Sequence, residues 1–256
     1  MHTEYARRKD SIGARPAPRS RGRAPSRDPG PGTVATVFAD LLATPGVTEE
    51  LERRGPVGFL AFHGGSLEKG TDTIARAAAE RSGASFYAVV QPPDLRWHIP
   101  SKYVDPAASP ALRAFLDHVD VAIAIHGYGR PDRFLTVLVG GGHRRLATHV
   151  ARHLRPGLAV YDVVDALDDI PVELRGLHPD NPVNRARHGG VQIELPPRVR
   201  GLGPYWLDRD HERTDDGLTP HTEALIAGLA AAASSWTAEP EAASEPHTGP
   251  GPGPES

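Results

Sequence analysis

Two histidines that each close an apolar run carry the most obvious chemistry in this chain. Phe59-Leu60-Ala61-Phe62-His63-Gly64-Gly65 and Ala122-Ile123-Ala124-Ile125-His126-Gly127 share one pattern: an apolar strand, then His, then Gly. Glycine directly after the imidazole lets the backbone depart sharply and lets a ligand approach, so both rings can face one crevice. Glu68 follows in the loop Gly65-Ser66-Leu67-Glu68-Lys69-Gly70-Thr71, which is long enough to fold back and offer its carboxylate beside the His63 ring. Two neutral imidazoles and one carboxylate, with a fourth position left for water, are the ligand set of catalytic rather than structural zinc. The chain has no cysteine, so a thiolate site and a disulfide framework are excluded, and any metal must be held by His, Asp and Glu. A lone strand-end histidine is more often a satisfied polar residue, and it is the doubled pattern with a carboxylate nearby that singles out this set. His118, His149 and His153 fall in helical segments and read as surface or core-edge residues.

A second carboxylate lies in Gly190-Val191-Gln192-Ile193-Glu194-Leu195, where the apolar residues alternate with Gln192 and Glu194, so these two share a face. Two readings stand. The face is either the solvent side of an edge strand, or it lines the cleft and places Glu194 to take a proton from an activated water and hand it to the leaving amine. Just upstream, Asn184-Arg185 in the loop Asn181-Pro182-Val183-Asn184-Arg185 offers an amide and a planar guanidinium fork that suit a substrate carboxylate, or an ordinary surface turn. Arg130, soon after His126, adds positive charge at the cleft mouth or is an exposed loop residue.

These residues need a frame to hold them, and the pattern of the chain supplies one. Short apolar runs at residues 57–62, 85–90, 121–125, 134–139, 159–163 and 191–195 read as strands, and segments 71–81, 108–118, 143–154 and 220–233 read as helices. Continuous apolar strands alternating with helices predict an α/β fold, a mostly parallel twisted sheet with helices on both faces, whose ligands bind beyond the carboxyl ends of the strands. Residues 1–32 combine Pro, Gly, Ser and Arg without hydrophobic periodicity and read as a disordered basic arm. Residues 237–256, rich in Pro, Gly and Glu, read as a disordered tail, which leaves 33–236 as one catalytic domain.

With 29 basic and 32 acidic residues, no global field points to nucleic acid. The sequence shows no apolar run of membrane-spanning length and no secretory h-region, so no membrane partner and a cytoplasmic location are expected. The oligomeric state is not legible.

The motifs His63-Gly64-Gly65-Ser66-Leu67-Glu68-Lys69-Gly70-Thr71, His98-Ile99-Pro100-Ser101, Ile125-His126-Gly127, Asn184-Arg185 and Gly190-Val191-Gln192-Ile193-Glu194-Leu195 occur in the order in which the poly-γ-glutamate hydrolase family carries them. The chain resembles that family over residues 57–201. It departs from it at Phe62, where the family tends to have Pro, and at Lys102, where it usually has Thr. The resemblance implies a zinc carboxypeptidase-like α/β fold and cleavage of γ-glutamyl amide bonds. It implies that His63, Glu68 and His126 hold zinc, that Glu194 is the general base, and that Asn184 and Arg185 hold a substrate carboxylate. His98 is expected as an additional donor to the developing oxyanion. The expected partner is a γ-glutamyl polymer or a small amide. The competing readings are an N-acyl amino acid amidase, and a non-catalytic module binding anionic polymer through Arg185, Arg198 and Arg200.

Overall fold

The computed structural model describes residues 34–202 and 218–237. The expected arm over 1–32, the tail beyond Thr237 and residues 203–217 of the expected domain lie outside these. The described chain runs α1 (Val34–Leu42), β1 (Thr48–Glu52), β2 (Val57–Gly65), α2 (Thr71–Ser82), β3 (Ser85–Gln91), α3 (Pro110–His118), β4 (Val121–Gly127), β5 (Thr136–Val139), α4 (Arg144–Leu154), β6 (Asp162–Val164), β7 (Gly190–Leu195) and α5 (Pro220–Ser234), with short 3-10 turns between.

The strands form one seven-stranded sheet in the order β1-β3-β2-β4-β7-β5-β6. The pairs β2/β3, β2/β4, β4/β7 and β5/β6 are parallel, and β1/β3 and β5/β7 are antiparallel. The sheet is thus mostly parallel, as expected. Its central strands are apolar almost throughout because both faces are covered. On one face Phe59, Ala61, Ile123, Ile125, Val191 and Ile193 pack with residues of α2, α4 and α5. On the other, Leu60, Phe62, Ala122 and Ala124 pack with Phe38 and Leu41 of α1 and with Leu112 and Phe115 of α3. Each of these fully buried large side chains contributes roughly 1.5–3 kcal/mol of transfer free energy. No helix among the described residues is long and apolar enough to cross a membrane.

Several boundaries differ from the sequence reading, each for a local reason. α3 begins at Pro110 rather than 108, because Ser109 Oγ accepts the Leu112 N–H as N-cap and Pro110 takes the first helical position. β5 starts at Thr136, two residues later than the apolar run, and leaves Phe134 and Leu135 exposed. β6 covers Asp162–Val164 rather than 159–163. β5 also runs against β7, since the short link from β4 holds no crossover helix that could return it parallel. β1 was not expected at all: Thr-Glu-Glu-Leu-Glu has no apolar run, and only pairing with β3 makes it an edge strand.

Candidate active site

The three central parallel strands β2, β4 and β7 end side by side, and each delivers one polar side chain at its carboxyl end. His126 and Glu194 are register partners across β4 and β7, so they project from the same face. That face is the one carrying Ala122 and Ala124. Strict alternation would send His63 to the opposite face, with Phe59 and Ala61. A bulge corrects this: Ala61 pairs with Ala88 and Gly64 with Val90, so Phe62 and His63 together oppose Val89. The extra residue re-aims the imidazole, which comes to lie 5.0 Å from the His126 ring between centroids.

The loop after His63 folds back as expected, closed by Glu68 N–H donating to the His63 carbonyl at 2.9 Å. Glu68 Oε1 lies 2.8 Å from His63 Nδ1, and Oε2 lies 3.5 Å from His126 Nδ1 and accepts the Gly127 N–H at 2.8 Å. One ligand atom from each of His63, Glu68 and His126 lies within 4.8 Å of the others, a group able to hold a metal ion. His63 Nε2 is 2.8 Å from the Ile99 carbonyl, which can only accept, so Nε2 donates there, and Nδ1 shares a proton with Glu68 Oε1 that a bound metal would displace. His126 is buried, its Nδ1 is too far from Glu68 for a strong hydrogen bond, and its Nε2 has no hydrogen-bond partner among the described residues. An imidazole buried with so little to bind is one the protein keeps for another ligand. The donor types and their arrangement therefore fit a divalent metal.

The electrostatics of the cluster follow from burial and from these neighbours. Burial alone would lower the His63 pKa, but the Glu68 carboxylate and the Ile99 carbonyl outweigh it and hold it above its ordinary value. Burial would raise Glu68, yet the two imidazoles hold it far below the usual carboxylate range. Glu194 is different. Burial pushes it up to about 7, with the Glu68 charge adding to the rise and His126 and Gln192 only tempering it. A carboxyl poised near neutrality is suited to taking and returning a proton.

The solvent-facing reading of Gln192 and Glu194 fails, because β7 is an inner strand and both side chains are buried. His98 stands beside the site as expected, its ring 4.9 Å from that of His63. Burial on that side and the neighbouring His63 lower its pKa, which favours the neutral imidazole. The loop bearing His98 and Ile99 is fixed by Gln91 at the end of β3, whose amide donates to the Trp97 carbonyl at 2.9 Å and accepts its N–H at 2.8 Å.

Asn184 uses its amide within the fold. Its Nδ2 donates to the carbonyls of Gly176 and His178 at 2.7 and 3.0 Å, and its Oδ1 accepts the Gly142 N–H at 3.1 Å, so it ties backbone segments together. Arg185 is exposed, with Asp105 4.0 Å away, and no contact joins it to the metal-binding group. Arg130 is paired with Glu173. Arg200 is not part of an open basic surface: its guanidinium lies against Gly127, where a Cβ would come within 2.6 Å of it, and it donates to the Lys69 carbonyl at 2.8 Å. Sequence reasoning missed this placement of Arg200 beside the site, and also Asn181, whose amide stands behind Gln192 at 2.8 Å. The only hint of the first was a second glycine-flanked close approach at Gly127, and the second had no local signal.

Known proteins match this chain on both sequence and fold. The family described as poly-gamma-glutamate hydrolase matches residues 43–216. The UPF0714 protein YndL of Bacillus subtilis (strain 168) is 32% identical over 146 residues, covering 56% of this chain and 54% of that protein. The chain thus spans about half the length of that curated relative. Among solved structures, a bacteriophage poly-gamma-glutamate hydrolase shares the fold with a TM-score of 0.59 at 22% identity, over 73% of this chain and 87% of that one. The zinc-free apo form of YndL gives a TM-score of 0.56 at 25% identity, over 72% and 89% of the two chains. The matched span holds every strand of the sheet together with His63, Glu68, His126 and Glu194, and the chain belongs to the poly-gamma-glutamate hydrolase family.

Proposed function

We propose that the protein is a zinc-dependent hydrolase of γ-glutamyl amide bonds, in poly-γ-glutamate or a related γ-glutamyl substrate. The observation that carries this reading is the convergence of His63, Glu68 and His126 at one sheet edge, with Glu194 in register beside His126. Family membership and the existence of a zinc-free form of YndL support it.

His63 and His126, each through an imidazole nitrogen, and Glu68 through its carboxylate would hold the zinc. Bound there, zinc supplies Lewis acidity that polarises a carbonyl and makes water more acidic. The chain's own residues do the rest. Glu194 takes the proton of the attacking water and returns it to the leaving amide nitrogen, a task matched by its pKa of about 7. The Ile99 carbonyl accepts from His63 Nε2 and so keeps the Nδ1 side of the ring turned to the cluster. His98, exposed and with its ring 4.9 Å from that of His63, would donate to a carbonyl oxygen as charge builds on it. Arg185, with its exposed guanidinium, is the residue of the Asn184-Arg185 pair left to meet an anionic chain.

The test is the metal content of the purified protein together with release of glutamyl oligomers from poly-γ-glutamate, for wild type, His126→Ala and Glu194→Gln. Near-stoichiometric zinc that is lost in His126→Ala, with cleavage lost but zinc kept in Glu194→Gln, is the expected outcome. Wild-type protein that binds no zinc would refute the proposal. Zinc without polymer cleavage would move the substrate to smaller γ-glutamyl amides.

A further inference from the structure

Behind Glu194 lies a line of buried side-chain amides for which the reaction as described has no use. The Val183 N–H donates to Asn181 Oδ1 at 3.3 Å, Asn181 Nδ2 donates to Gln192 Oε1 at 2.8 Å, and Gln192 Nε2 donates to Glu194 Oε1 at 2.8 Å. Asn181, Gln192 and Glu194 are 2%, 5% and 5% exposed, so water does not compete for these bonds. The line has a direction set at its far end. The Val183 N–H can only donate, so it must meet the Asn181 oxygen, which turns the Asn181 NH2 towards Gln192 and in turn the Gln192 NH2 towards Glu194. Flipping either amide would set donor against donor or acceptor against acceptor in a buried place. Gly176, at φ 67°, presses on the middle of the line: a Cβ there would lie 2.7 Å from Gln192 Cβ and 2.8 Å from its Oε1.

We propose that Gln192 is a positioning residue for the reaction, oriented by Asn181, and that it pins Glu194 Oε1 so that Oε2 is the oxygen that exchanges the proton with water and leaving group. The inference rests on Glu194 being the proton carrier. A hydrogen bond to a carboxylate stabilises the bound orientation by about 1.5–3 kcal/mol, and losing that orientation at the proton-transferring group corresponds to about 10- to 100-fold in rate. Gln192 touches neither reacting atom, so its effect belongs in kcat and not in substrate binding.

The experiment uses the full chain loaded with zinc, comparing wild type with Gln192→Met, Asn181→Leu, the double variant and Glu194→Gln. Zinc content, melting temperature, and kcat and KM on poly-γ-glutamate are measured for each. Gln192→Met, which keeps side-chain length but has no donor, is expected to lose about 10- to 100-fold in kcat with KM and zinc content within about 2-fold of wild type. Asn181→Leu is expected to lose less. Because the two residues act in series, the double variant should be no slower than Gln192→Met alone. Full kcat in Gln192→Met while Glu194→Gln is inactive would overturn the positioning role and leave Glu194 in place. Costs that simply multiply in the double variant, or losses that fall on KM and melting temperature together, would reduce the line to loop anchoring and equally overturn it. An active Glu194→Gln would instead remove the reading beneath it.

Discussion

Replacing Glu194 by Gln should make the metal-free protein more stable above neutral pH, although it removes the proposed base. In the folded protein the carboxyl holds its proton up to about pH 7, whereas in the unfolded chain it lets go near its ordinary 4.5. Folding therefore favours the protonated form. The wild type is at its full relative stability below about pH 4.5 and loses it as pH rises towards 7, where the folded state must finally bury a charge. The interval, about 7 minus 4.5, is roughly 2.5 pH units, and at about 1.4 kcal/mol each the loss is about 3 kcal/mol. Glutamine has the same shape and no charge, and its oxygen can still accept the Gln192 N–H that Glu194 Oε1 accepts. Urea unfolding of both proteins in EDTA, followed by tryptophan fluorescence at pH 5, 6, 7 and 8, measures the difference. The variant should match the wild type within about 1 kcal/mol at pH 5 and exceed it by about 3 kcal/mol at pH 8. A difference that stays constant across that range would refute the account of Glu194 as a buried, desolvated carboxyl.

Two further outcomes separate packing from chemistry around the same site. Gly127→Ala should push the Arg200 guanidinium aside and break its bond to the Lys69 carbonyl, a loss of about 1 kcal/mol, and a melting curve no lower than that of the wild type would show that the bond contributes nothing. Asn184→Ala and Arg185→Ala should behave oppositely despite being neighbours. The first strips partners from three backbone groups and should lower stability by about 1–3 kcal/mol. The second should leave the melting temperature alone and raise KM for an anionic polymer.

The site was legible in the chain to the extent that its residues sit at strand ends. Phe59 to His63 and Ala122 to His126 announce themselves because strands buried on both faces must be apolar throughout, so the first polar residue marks the sheet edge. The meeting of the two rings in one crevice was read from that doubled pattern, but the means by which His63 reaches it was not legible. It depends on the bulge opposite Val89, which is a property of how β2 sits against β3 and not of either sequence. Gln192 and Glu194 showed their shared face by alternation, but an inner strand and an edge strand look alike until the neighbours on both sides are known. The bonds of Asn184 were not legible, because an Asn-Arg pair in a loop says nothing of the carbonyls at Gly176 and His178 that accept from its amide. β1 was missed since an acidic edge strand has no hydrophobic pattern of its own.

The place of β7 in the sheet bears on how the protein is made. Among the described residues it is the last strand and among the innermost in the sheet, lying between β4 and β5. A chain emerging from the ribosome exposes both of those strand edges until residue 195 has been synthesised, and open edges invite pairing with other chains. His63, Glu68 and His126 are all in hand by then, and Glu194 arrives only with the strand that seals the gap. Insertion of β7 thus fills the gap in the sheet and brings Glu194 to His126 in a single step, so under the proposed mechanism a nascent or truncated chain would have its metal ligands before its proton carrier.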